Sequence, residues 1–157
     1  MKDLNNFTII IPCITFKDVK KSIIKIRKVY KTIKIIVCLN QKVKNKKDRN
    51  LKFIFTSQKS IGAKRNLAVK LAKTKYLAFI DSDAYPSEGW IENSLEYLRN
   101  KKIGIIAGPH VDPKIQNFSE DIVGQVKKSL IITMSPSLQK KNISKPKIFF
   151  KGLFSRS

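Results

Sequence analysis

The chain is poor in the residues on which many functional sites depend. It carries one histidine, His110, and two cysteines, Cys13 and Cys38. The cysteines form no C-x-x-C pair and have no Cys or His companions at ligand spacing, which excludes a structural zinc site. Each falls at the end of an expected strand, and both read as free buried thiols in a reducing compartment. The six glycines form no glycine-rich loop after the first apolar run, so the dinucleotide-binding fingerprint is absent. No apolar run approaches the roughly 18 residues that a membrane-crossing helix needs. The first run, residues 7–11, has the length of a strand and is followed by no small-residue cleavage site, so the chain reads as cytosolic.

Acid is scarce as well. Eleven Asp and Glu stand against 33 Lys and Arg, a formal charge of +22. Such an excess points to phosphate-bearing partners or an anionic membrane surface. Arginine, however, is confined to Arg27, Arg49, Arg65, Arg99 and Arg156. Specific phosphate and base readers lean on arginine forks, so most of this lysine is read as solvated surface.

What is present is a globular pattern. At 157 residues and 42% hydrophobic composition the chain is long enough for one domain with a real core. Strands are expected at 7–11, 33–39, 51–56, 76–80 and 103–107. Helices are expected from Thr15 over about four turns, over 61–73 after Ser60, over 87–99, and from Ser119 to about Ile132. In the first helix Val19, Ile23, Ile26 and Tyr30 recur at helical spacing. The alternation implies parallel βαβ units and a Rossmann-type, mostly parallel sheet flanked by helices, an α/β fold. Residues 1–134 form the expected domain, and 135–157 a basic tail with one apolar cluster.

The stretch 76–90, YLAFIDSDAYPSEGW, organises the rest. A charge-free strand ends directly in Asp81, Ser82 and Asp83. Buried carboxylates are costly without a positive partner, and in an extended backbone residues i and i+2 point the same way. Asp81 and Asp83 can then converge on a cation, and oxygen ligands suit Mg²⁺ or Mn²⁺. The plain alternative is a polar turn in which a carboxylate bonds its own backbone. Position favours the cation: ligands in such sheets bind outside the carboxyl ends of the strands, where both Pro12 and the acidic pair lie.

Taken together, FTIIIP, IGAKRN and FIDSDAYPSEGW, with GPHVDP after the fifth strand, resemble the N-terminal, donor-binding part of an inverting family 2 glycosyltransferase with the GT-A fold. The resemblance covers about residues 7–120. It implies that Asp81 and Asp83 hold Mn²⁺ or Mg²⁺ against the diphosphate of a nucleotide-sugar donor. It further implies that Pro12, Asn40, Gly62, Arg65, Asn66 and Ser82 help to bind that donor. The expected acceptor is a saccharide or a lipid-linked glycan of cell-surface polysaccharide synthesis, reached from the cytoplasm with peripheral contact to an anionic membrane.

Three departures stand out. Leu39, followed by Asn40, occupies the place of the family's base-binding Asp. Cys13-Ile14-Thr15 replaces the usual aromatic–Asn pattern. The acidic motif carrying the catalytic base is not recognisable; Asp112 and Asp121 are the candidates, and Asp-Pro turn chemistry and helix capping explain each as well. Two further readings therefore stand beside the enzyme. One is a non-catalytic nucleotide-sugar-binding domain. The other is a basic nucleic-acid-binding protein, which the lack of an aromatic stacking pattern or nucleic-acid motif disfavours.

Overall fold

The computed structural model describes residues 2–44, 48–108 and 147–150. After a 3₁₀ turn, Lys2–Asn6, come strand β1 (Phe7–Pro12), helix α1 (Phe16–Val29), β2 (Lys34–Leu39) and β3 (Leu51–Phe55). Helix α2 (Ile61–Leu71), β4 (Tyr76–Phe79), α3 (Trp90–Leu98), β5 (Ile103–Ala107) and β6 (Lys147–Phe150) follow. The chain divides into two compact units, Met1–Glu92 and Asn93–Ser157.

The first unit is built on a four-stranded sheet in the order β3-β2-β1-β4, every neighbouring pair parallel. All six residues of β1, and all of β2 after Lys34, are buried. Such near-continuous apolar strands are what a sheet covered on both faces demands. One face carries Ile10, Ile36 and Cys38, packed with Ala68 of α2 and flanked by Ile54, Leu67, Ala72 and Leu77. The other face carries Ile9, Ile11, Ile35 and Val37, each at most 1% exposed. Phe53 pairs with Val37 in register and meets the ring of Phe16 edge-on at 5.6 Å, so α1 covers this second face.

Helix α1 starts where its sequence says it should. Asp18 in its first turn accepts the Thr15 backbone N–H at 2.8 Å, satisfying a donor that no helical carbonyl can reach. Val19, Ile23 and Ile26 are buried together with Ser22. At its far end the Tyr30 hydroxyl accepts the Ile91 N–H at 3.0 Å and donates to Glu92 at 2.9 Å. The residue that ends α1 thereby caps the first turn of α3. Burial pushes the Tyr30 phenol up to about 12, and Glu92 beside it adds to the rise.

The expected elements differ from the structure at their ends. Helix α3 begins at Trp90 rather than at 87, because Gly89 adopts φ 73°, a turn conformation that glycine enters without the Cβ penalty. Helix α2 ends at Leu71 rather than 73. Strand β5 is found, but its described partner is β6, antiparallel, with a register irregularity between Ile103 and Ile105. Strand β6 arises within the segment read as a basic tail. The helix expected over 119–132 lies outside the described residues.

The strand order locates a switch point. From β1 the chain moves to β2 and then β3 on one side, and β4 returns to the other side of β1. Loops leaving the carboxyl ends of β1 and β4 therefore diverge, and a crevice opens between them.

Candidate functional site

That crevice is an open cleft of about 760 Å³ lined by Pro12, Asp18, Ile61, Arg65, Asp81, Ser82 and Asp83. Strand pairing explains the placement. The ladder between β1 and β4 continues one residue beyond β4, where Ile80 N–H donates to the Ile10 carbonyl at 3.1 Å. Asp81 is the first residue past it. There the chain turns: Ala84 N–H donates to the Asp81 carbonyl at 3.1 Å. The acidic pair therefore sits on a turn, not on the extended backbone assumed from its spacing. The turn is closed by main-chain atoms, and both carboxylates still reach one cleft.

Two contacts from α1 hold this turn. The Ser22 hydroxyl, 1% exposed, donates to the Ser82 carbonyl at 2.6 Å. The Lys25 ammonium lies 3.7 Å from the centre of the Tyr85 ring, within cation–π range. Across the cleft, Arg65 Nη2 meets Asp81 Oδ1 at 2.7 Å, with the guanidinium 6.0 Å from the Phe79 ring. Asp18 also faces the cleft. The Thr15 backbone N–H holds its carboxyl below the usual carboxylate range, with the Thr15 hydroxyl contributing.

Behind α2 lies an unusual buried charge. Lys64 is 1% exposed, and its Nζ donates to the Cys13 carbonyl at 2.6 Å and to Asn40 Oδ1 at 2.7 Å. The Asn40 amide in turn donates to the carbonyls of Thr56 (2.6 Å) and Gln58 (3.0 Å). One ammonium thus ties α2 to the exits of β1 and β2 and, through Asn40, to the exit of β3. Buried polar groups are held by such partners. Desolvation raises the Cys13 thiol to about 11, with Asp18 adding to the rise and Lys64 opposing it; burial raises Cys38 too. Neither thiol is a nucleophile in this setting.

The residues expected from sequence are thus divided by the fold. Pro12, Arg65, Asp81, Ser82 and Asp83 converge. Asn40 lies at the edge-forming strand exits with its side-chain atoms engaged by Lys64 and two carbonyls. Gly62 and Asn66 are exposed on α2. A Cβ at Gly62 would meet only Ser60 Oγ, at 3.6 Å, so nothing in the chain itself requires glycine there. Asp112 and Asp121 lie outside the described residues. Sequence reading missed Lys64, Ser22 and Asp18 as parts of this architecture. Lys64 left a signal: it stands four residues before Ala68 and seven before Leu71, on the helix's apolar stripe.

The donor set suits a hard divalent cation. Asp81 and Asp83 line the cleft together with Asp18, and a guanidinium already pairs with Asp81, which marks the spot as one where positive charge is favoured. Among the described residues no group of three or more His, Cys, Asp or Glu gathers around one point. A cation there would complete its shell with water and substrate oxygens, the usual habit of Mg²⁺ beside one or two carboxylates.

The model of glycosyl transferase family 2 matches residues 16–155, most of the chain. The chain belongs to that family. The match starts after β1 and runs well past residue 120, farther than the motifs alone reach. Among solved structures, the crystal structure of S. aureus TarS 1-349 is similar, with TM-score 0.51 and 17% identity over 72% of this chain. A second S. aureus TarS crystal structure gives the same score, identity and coverage. This chain spans only 38% and 23% of the lengths of those two, and at this identity the likeness establishes the GT-A fold alone. No curated protein matches the chain by sequence. Among the described residues of this family 2 chain, no helix is long and apolar enough to cross a membrane.

Proposed function

We propose that this chain is the donor-binding part of a metal-assisted glycosyltransferase, which takes a sugar from a nucleotide-diphosphate carrier. The observation that carries the reading is the convergence of Asp81, Ser82, Asp83 and Arg65 with Pro12 at the switch between β1 and β4. Asp81 and Asp83 would hold Mn²⁺ or Mg²⁺. The metal's contribution is to stabilise the negative charge that grows on the leaving diphosphate.

The chain's own groups do the remainder. Ser22 and Lys25 fix the acidic turn, so that little ordering is left for the moment of binding. Ser82 lines the floor between the two carboxylates. Arg65 offers a guanidinium to phosphate oxygens, and the N-terminal turn of α2, open at Gly62, offers backbone N–H groups and room for close approach. Asn66 stands one residue beyond Arg65 on the same turn. Asn40 acts through the wall it braces beside the nucleoside. Deprotonation of the acceptor hydroxyl falls to an acid beyond β5, for which Asp112 and Asp121 are the candidates. The acceptor is a saccharide or a lipid-linked glycan, and lysines exposed along α1 would favour an anionic membrane face over nucleic acid.

A second reading, donor binding without transfer, keeps its ground in the unrecognised base. Calorimetric titration of uridine, guanosine and thymidine diphosphates, with and without Mn²⁺, tests the first step. The expected result is metal-dependent binding of one of them, abolished in Asp83→Ala. Binding that ignores both Mn²⁺ and the substitution would overturn the metal-assisted site. Sugar transfer by the purified chain would remove the binding-only reading.

A further inference from the structure

Arg65 and Asp81 present a puzzle if each serves only the donor. The two are paired with each other, 2.7 Å apart, with side chains 37% and 66% exposed. An ion pair this exposed is weak. Its geometry is incomplete as well: the contact is through Nη2 alone, while Arg65 Nε is buried without a hydrogen-bond partner. Guanidinium groups are strongest in two-pronged contact with carboxylate or phosphate. Arg65 is therefore under-satisfied, and its partner Asp81 is one of the acidic pair on the turn after β4.

We propose that Arg65 is an exchangeable counter-ion for the cation site. It neutralises Asp81 before a divalent cation arrives, yields that carboxylate to the cation, and turns its freed guanidinium to the diphosphate that the cation accompanies. The inference rests on the donor-site reading and deepens it. Its physical content is a coupling between two ligands through one side chain. A cation alone competes with Arg65 for Asp81 and gains nothing in return. A cation with a nucleoside diphosphate displaces the same contact and recovers a better one, with both guanidinium edges engaged. Without the exchange, two carboxylates at an open cleft would repel each other or recruit a free cation with no donor.

The proposal predicts opposite signs for one substitution. In Arg65→Met, Mn²⁺ alone should bind about two- to fivefold tighter than in wild type, the range that loss of a weak exposed ion pair implies. The same variant should bind the Mn²⁺–nucleoside diphosphate complex at least tenfold more weakly, because a charge-assisted phosphate contact is gone. Arg65→Lys separates the charge from the fork. A lysine keeps the charge and can still make a single contact to Asp81 but loses the fork, so the exchange predicts Mn²⁺ binding near the wild-type value and weaker binding of the Mn²⁺–nucleoside diphosphate complex.

The measurement is free Mn²⁺ by electron paramagnetic resonance, with no nucleotide, on the full chain and both variants. Calorimetry with uridine, guanosine and thymidine diphosphates, each with Mn²⁺, then follows. Tighter Mn²⁺ binding with weaker complex binding in Arg65→Met, and weaker complex binding at near wild-type Mn²⁺ affinity in Arg65→Lys, supports the exchange. Unchanged or weaker Mn²⁺ binding in Arg65→Met overturns it while leaving the donor site intact. If wild type and Arg65→Met both bind no Mn²⁺ at millimolar concentration, the exchange and the metal-assisted reading fall together. If wild type binds the nucleotide without metal, only the nucleotide part of the donor reading survives.

Discussion

Replacing Lys64 by methionine tests whether the buried ammonium braces the strand exits. Methionine keeps the length and the unbranched stem of lysine, so the packing of α2 against Ile10, Ile36 and Cys38 should persist. What disappears is the donor. The Cys13 carbonyl and Asn40 Oδ1, at 2.6 and 2.7 Å in the native protein, are left facing a thioether. A buried acceptor stripped of its partner costs about 1–3 kcal/mol; with the Cys13 carbonyl buried and Asn40 part-buried, the two together cost roughly 2–4 kcal/mol in a fold whose total stability is of order 5–15 kcal/mol. Equilibrium urea unfolding checks this: with m about 2 kcal/mol/M, the middle of the usual range, the midpoint should fall by roughly 1–2 M with m unchanged. A double-mutant cycle with Asn40→Ala should give a coupling of about 1–2 kcal/mol. A midpoint within error of wild type, or a coupling near zero, would refute the bracing role.

Two further outcomes follow from the same contacts. Ser22→Ala removes the 2.6 Å bond to the Ser82 carbonyl, which should cost about 1–2 kcal/mol and speed amide exchange at Asp83 and Ala84. Exchange there as slow as in wild type would mean that α1 does not hold the turn. The Cys13 thiol, raised from 9.0 to about 11, keeps its proton in the fold at pH values where the unfolded chain releases it. Its contribution is therefore complete below about pH 9 and is lost between pH 9 and 11. The urea midpoint of wild type should consequently fall more steeply across that window than that of Cys13→Ala, and parallel slopes would dismiss the effect.

Much of the fold could be read in advance because local signals agreed with the tertiary outcome. The uninterrupted apolar runs of β1 and β2 announced a sheet buried on both faces, and the i, i+4, i+7 pattern of Val19, Ile23 and Ile26 announced α1. Element ends were less legible, since Gly89 at positive φ delays α3 in a way that composition does not reveal. The pairing of β5 with β6 was beyond reach. A strand's partner depends on contacts that span dozens of residues, and a cluster such as Ile148-Phe149-Phe150 carries no address.

The site divides the same way. Sequence by itself determined which groups stand at the carboxyl ends of the strands, because an apolar run that stops at Asp81 leaves those carboxylates nowhere else to be. The helices between β1 and β2 and between β3 and β4 announced a parallel sheet, although β2 and β3 are parallel across a connection with no helix, and sequence also determined that oxygen ligands rather than sulfur or imidazole would be at hand. Only the tertiary structure decided the partners. It set β4 beside β1 and so opened the cleft; it turned Lys64 inward to Asn40 and Arg65 outward to Asp81. Adjacent positions on a helix diverge by about 100°, and which direction is core and which is cleft depends on the sheet the helix packs against.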